Sequence, residues 1–313
     1  MGPESRLWLI AVQGRAREPR PSRGVGGPVG GRAPVILEEV LGGLRFPESP
    51  RWREGRLWFS EKRAGRVVRL DPGGPTPVVE VAADPGGLGW SPEGDLLVVS
   101  MGDRRLLRAG RDGLAEVADL APLTRGKCND MVVDLWGRAY VGDFGYDLAS
   151  GEQPAGGHIV LVEPSGTARV VAGDLGFPNG SVVTAGATEL IVAESSAGRL
   201  TAFSIADDGS LHSRRVFADL GDGVADGICL DAEGAVWFAD PLGCQVVRVA
   251  DGGRVLDRIS TGTEGAFACT LGGDDGRTLF VCTYSEAASM DPSGPPVGRI
   301  VAVRVAAPSG GSP

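Results

Sequence analysis

Histidine is nearly absent from this chain: His158 and His212 are the only two in 313 residues. A Ser-His-Asp triad cannot be built around either, because His158 opens a third strand and His212 falls in an outer turn. Ser195-Ser196, which follows Glu194, therefore lacks a base. Cysteine is sparse as well. Cys128, Cys229, Cys244, Cys269 and Cys282 are odd in number, scattered and free of any Cys-x-x-Cys pair. That spacing excludes a zinc-thiolate centre and a secreted disulfide framework, and it fits a reducing cytoplasm. No apolar run approaches the ~20 residues of a membrane span. Leu7–Val12 is too short for a signal h-region and has no convincing cleavage site after it. Apolar positions at helical spacing are scarce. Glycine-rich stretches such as Pro85-Gly86-Gly87 precede strands or turns instead of helices, which excludes a phosphate cradle.

Glycine, by contrast, is plentiful, at 50 residues beside 22 prolines, and 42% of the chain is hydrophobic. The net charge of −9 is unevenly spread. Residues 1–33 hold six Arg and two Glu, a net of +4, so the remainder carries −9 − 4 = −13. An acidic body repels nucleic acid and anionic membrane and suits a cation-binding protein. Residues 1–33 read as a disordered or mis-assigned tail, 34–307 as one domain and 308–313 as a flexible C-terminus.

Hairpin turns recur. Their glycines fall at Gly55, Gly94, Gly137, Gly186, Gly234 and Gly276, spaced by 39, 43, 49, 48 and 42 residues. An apolar strand follows each turn, as in Leu57-Trp-Phe-Ser60 and Val236-Trp-Phe-Ala239. Six four-stranded units of this length predict an all-β, six-bladed propeller of antiparallel blades. The last unit supplies only three strands. Pro34–Leu41 is expected to add the fourth, so that the N-terminal strand closes the ring and removes an open edge.

The innermost strand of each blade lines the central channel of a propeller, so equivalent registers meet near the axis. Counting back seven or eight residues from each turn glycine reaches Glu48, Asn129, Asn179 and Asp226. The other two units offer Gly86-Gly87 and Ala268-Cys269 at that level. Two carboxylates and two amides form a hard, all-oxygen set with formal charge −2. That is the ligand chemistry of Ca2+, with Mg2+ or Mn2+ as alternatives. Asn179-Gly180 and Asp226-Gly227 are also explicable as turns at strand starts. Glu48-Ser49 and Asn129-Asp130 are not.

Phe46-Pro-Glu-Ser-Pro-Arg-Trp52, Lys127-Cys-Asn-Asp-Met131, Phe177-Pro-Asn-Gly180 and Ala225-Asp-Gly-Ile228 occur in one order and register. They resemble the family of regucalcin (senescence marker protein) and the bacterial gluconolactonases, from about Glu38 to Val305. The resemblance implies a six-bladed propeller hydrolase with a divalent metal in its channel, Zn2+ joining the alternatives to Ca2+. It makes Glu48, Asn179 and Asp226 metal ligands and Asn129 a substrate contact or fourth ligand. Lys127 stands where such proteins often carry a sugar-gripping Arg.

The expected activity is metal-dependent lactone hydrolysis. The metal polarises the carbonyl and activates water, and Asp226 shuttles the proton as general base or acts as nucleophile. Asp130 is a second candidate beside it, and Asn129 and Lys127 hold the ring or its oxyanion. A phosphotriesterase on the same metal and a non-catalytic calcium- or partner-binding propeller are the alternatives. The expected partner is a small lactone or ester, not nucleic acid or membrane, acting on a cytoplasmic monomer or weak homodimer.

Overall fold

The computed structural model describes residues 36–312, apart from 112, 148–149, 151 and 286–294. Residues 1–33, expected to be a tail, lie outside the described residues. Six antiparallel sheets surround a central channel, and the chain passes outward through each before starting the next. The inner strands are Pro47–Arg53, Pro85–Trp90, Cys128–Val133, Pro178–Thr184, Ile228–Leu230 and Gly265–Gly272. The sixth blade is completed by Glu38–Leu44, paired to Gly298–Arg304 from Glu38 opposite Ala302 to Leu44 opposite Gly298. The first and last segments of the propeller thus share one sheet, and ring closure is a backbone ladder.

The hairpin turns follow the glycine chemistry. Gly55, Gly94, Gly137, Gly234 and Gly276 all have φ between 69° and 92°, the left-handed region that glycine enters without steric penalty. Blade 4 differs. Its left-handed residue is Ala187 at φ 48°, one place after Gly186, with its amide donating to Thr184 O at 2.7 Å. Two turns are braced further by an aspartate at their first position. Asp134 accepts from the amides of Trp136 and Arg138, and Asp231 from those of Glu233 and Ala235. Each also binds an arginine Nε at 2.6 Å, from Arg138 and Arg248 respectively.

Six hydrophobic clusters fill the molecule, one between each pair of neighbouring blades. Phe59, Phe280 and Ile300 join blade 1 to blade 6, and Val132, Tyr140 and Leu190 join blade 3 to blade 4. Nearer the axis no room remains for side chains between blades. A β-carbon at Gly227 would fall 2.6 Å from Ala268 Cα, and one at Gly180 would fall 2.7 Å from Asp226 O. Backbone bonds occupy that space instead: Gly180 N donates to Asp226 O at 3.2 Å, and Gly227 N to Phe267 O at 2.8 Å.

Within the segment 308–313, expected to be a flexible C-terminus, residues 308–312 are bonded to the propeller. Gly311–Ser312 pairs with the inner strand of blade 4, and the adjoining residues bond to blades 5 and 6. Ala232 N donates to Pro308 O, Ser309 N to Gly276 O and Gly310 N to Leu230 O, at 2.8–3.0 Å. The unpaired edge of the inner strand supplies the reason, since its amides and carbonyls need partners. Ser309 and Gly311 form one side of a cavity of about 410 Å3 at this end of the channel. Arg51, Trp52 and Trp90 line it too, although the two tryptophans are largely engaged by Phe280 and Trp58. Truncation after Ala307 removes several bonds worth about 1 kcal/mol each and is expected to lower Tm by about 5–10 °C in calorimetry. An unchanged Tm would show that the strap contributes nothing.

Candidate functional site

The site lies at the end of the channel where the inner strands begin. Five of the six inner strands carry a register shift close to their start. The shifts fall between Glu48 and Arg51, Pro85 and Leu88, Cys128 and Met131, Pro178 and Ser181, and Ala266 and Ala268. The sixth strand begins late, at Ile228, two residues after Asp226. A bulge bends its strand and redirects the side chain it carries. Here the irregular positions are those that bear Glu48, Asn129, Asn179 and Asp226.

The structure brings these four residues together. Asn129 Nδ2 donates to Asn179 Oδ1 at 2.9 Å and to Pro178 O at 3.3 Å. With its amide hydrogens spent on blade 4, the Asn129 carbonyl oxygen is left for the centre. Asn179 Nδ2 donates to Ser195 Oγ at 3.2 Å, and Ser195 Oγ donates in turn to Ala225 O at 2.6 Å, the residue before Asp226. Asp226 and Asn179 are buried, at 4% and 6% exposure, while Glu48 and Asn129 retain partial access to the channel.

Both carboxylates have a raised proton affinity. Burial pushes Glu48 up from the usual 4.5 to about 7; Lys62 opposes this and Asp130 adds to it. Asp226 is held well above the ordinary carboxylate range, first by burial and then by the charge of Glu48, with Lys62 and the Asn179 amide acting in the opposite direction. Ser49 N donates to Glu48 Oε2 at 3.1 Å. No cationic side chain forms an ion pair with either carboxylate among the described residues. Among those residues, too, no three His, Cys, Asp or Glu side chains form a metal-binding group on their own. Amide oxygens have to complete any ligand set, which favours a hard cation.

Two expected substrate contacts have different surroundings. Asp130 is turned away toward Arg51: its Oδ1 accepts from Arg51 Nη2 and from Met131 N, both at 2.8 Å. Arg51 also donates to Leu88 O and Met131 O, so it links blades 1, 2 and 3. Asp130, expected to contact substrate or shuttle a proton, is thus paired with a buried guanidinium. Lys127 remains at the channel mouth, half-buried and 3.8 Å from Asp84 Oδ2. Neither histidine is among the site residues. His158 Nδ1 lies 3.0 Å from Asp143 Oδ2, and His212 is exposed beside Ser213. Ser195, Arg51 and Lys62 were not selected by register counting, since they lie off its level. Only their proximity to the repeated motifs signals them.

Six blades around a channel, with an oxygen-rich cluster at one mouth, define a propeller with a built central site. The chain belongs to the SMP-30/gluconolactonase/LRE-like family, whose profile it matches over residues 46–285. It is 29% identical over 275 residues to the 6-deoxy-6-sulfogluconolactonase of Pseudomonas putida, covering 85% of this chain and 93% of that one. It is 27% identical over 258 residues to the pentonolactonase XacC of Haloferax volcanii, covering 80% and 85%. A calcium-binding protein, regucalcin, from Agrobacterium tumefaciens has the same fold, with a TM-score of 0.74, 19% identity and 90% and 97% coverage.

The raised carboxylates give the cation-free protein a definite pH dependence. Below about pH 4.5 Glu48 is protonated in both folded and unfolded chains; between 4.5 and about 7 the folded chain holds the extra proton. Stability therefore falls as pH rises through that window. In chelator, Tm is expected to drop by about 5 °C across it, and Glu48→Gln should flatten the slope. A wild-type Tm that rises through the window would contradict the assignment.

Proposed function

We propose that this protein is a metal-dependent lactone hydrolase, a carboxylic ester hydrolase whose reaction centre is the Glu48–Asn129–Asn179–Asp226 cluster. The observation that carries the reading is the pair of deep-set carboxylates, Glu48 and Asp226, which no cationic side chain pairs. Two like charges withdrawn from water are unfavourable until a cation lies between them. Their oxygens and those of the two amides suit Ca2+ ahead of Mg2+, Mn2+ or Zn2+. The lactonase names of the two relatives support the same reading.

A divalent cation held there would polarise the lactone carbonyl and lower the pKa of water. The chain supplies the rest. Asp226 accepts the proton of the attacking water at its carboxylate and returns it to the ring oxygen as the C–O bond breaks, leaving a hydroxy acid. Ser195 holds Asn179 and the backbone before Asp226 in place. Asn129 offers its amide oxygen to the cation, and Lys127 at the mouth contacts substrate hydroxyls. The acidic sequence, with a pI of 4.9, disfavours nucleic acid as a partner, and five free cysteines support a cytoplasmic location. Among the described residues no helix is long and apolar enough to cross a membrane.

Asp226→Asn is expected to keep the fold and lower hydrolysis of glucono-1,5-lactone by about 10^3-fold, measured by proton release. Chelation should abolish wild-type turnover, with Ca2+, Mg2+, Mn2+ or Zn2+ added back singly to rank the metals. Full activity in Asp226→Asn would refute the role given to this residue. Tight cation binding without turnover of any lactone would refute the enzyme reading.

A further inference from the structure

The chain has 29 arginines but only two lysines, Lys62 and Lys127, and both stand at the mouth that holds the carboxylate pair. Lys62 has an internal counterpart that shows where it faces. In blade 1 the second strand ends at Glu61, a 3-10 turn runs through Lys62–Ala64, and Gly65 closes it at φ 66°. In blade 4 the second strand ends at Glu194, the turn runs through Ser195–Ala197, and Gly198 closes it at φ 61°. Lys62 N donates to Phe46 O at 3.0 Å as Ser195 N does to Phe177 O at 3.1 Å. Arg66 pairs with Glu61 as Arg199 pairs with Glu194. Ser195, the residue equivalent to Lys62, bonds directly to Asn179.

Lys62 therefore projects a longer, charged side chain from a position already shown to reach the site. Its Nζ lies 5.8 Å from the centroid of Phe46, two residues before Glu48, and Phe46 is wedged against Phe267 and Tyr284. The side chain is half-buried, its charge is felt by both Glu48 and Asp226, and it forms no ion pair among the described residues. The next residue, Arg63, is instead tied to the Tyr284 hydroxyl at 3.0 Å. Once a divalent cation balances Glu48 and Asp226, and with Arg51 balancing Asp130, the ammonium of Lys62 leaves the mouth with one uncompensated positive charge.

We propose that Lys62 is a specificity-determining residue that binds an anionic substituent, a sulfonate or phosphate group, on the lactone substrate. The inference rests on the lactonase reading and extends it to a substrate class. Lys62 is assigned to a substituent, not to the reacting carbonyl, because it stands outside the ligand cluster, over the ring of Phe46. A compact ammonium on a flexible stem suits an oxyanion whose position varies with the sugar. Lys127 on blade 3 already has Asp84 as a neighbour and contributes less.

The test compares glucono-1,5-lactone with its 6-deoxy-6-sulfo and 6-phospho derivatives, using the metal-loaded enzyme. Lys62→Met keeps the aliphatic stem and is expected to raise KM for the charged lactones about tenfold more than KM for the neutral lactone. Lys62→Arg should restore most of the loss. The wild-type KM for charged lactones should rise with ionic strength, and that of Lys62→Met should not. The ratio between the sulfo and phospho arms identifies which oxyanion is read. Equal loss on neutral and charged lactones, or no loss on either, would overturn the inference while leaving the lactonase reading intact. Failure to hydrolyse any of the three lactones with any metal would overturn both.

Discussion

Six inner strands meet around one axis so closely that neighbouring backbones touch, and this crowding governs the rest of the molecule. It requires glycine at several places where one inner strand passes against the next. At Gly87 an added β-carbon would strike the amide of Met131, and at Gly227 it would strike Ala268. The backbone bonds that fill the gap, such as Gly227 N to Phe267 O, tie successive blades at the depth of the site. Bulges in the same strands let their first residues depart from strict alternation and turn inward. The same steric limit therefore positions the glycines and presents the polar side chains one residue away.

Carboxylates at nearly the same depth have two different fates. Asp130 receives the guanidinium of Arg51 and becomes a neutral strut across three blades. Removing either partner would leave a buried charge, at a cost of about 3–5 kcal/mol. Among the described residues Glu48 and Asp226 receive no such partner, and burial, with the charge of Glu48 acting on Asp226, keeps their proton affinity high. Stability is given up at one point and secured beside it.

The blade count was legible because each hairpin needs a left-handed residue and glycine supplies it at nearly constant spacing. The closing strand was legible because the last repeat fell one strand short. Glu48, Asn129, Asn179 and Asp226 emerged from register alone, since equivalent positions in a radial fold converge. Other features depended on partners distant in sequence. Gly180 and Gly227 looked like turn residues, but neither has a positive φ, and both serve close approach between blades. Asp130 looked like a site residue because it follows Asn129, and its pairing with Arg51, 79 residues earlier, is invisible to local pattern. The segment 308–313 looked flexible because the anchors of residues 308–312, Leu230, Gly276 and the edge of blade 4, are invisible to local pattern.

The repeat also explains how one site can combine fixed and variable chemistry. The inner-strand residues are constrained from both sides by neighbouring blades, so their side chains are held at set positions on the axis. The 3-10 turns after the second strands are constrained only beneath, by a glutamate–arginine pair and a bond to the residue before the inner strand. Their first side chain is consequently free to differ. In blade 4 it is Ser195, short enough to brace Asn179 from behind. In blade 1 it is Lys62, long enough to carry its charge over Phe46 toward the carboxylates. One backbone geometry thus braces Asn179 through one turn and, through the other, presents a charge at the channel mouth.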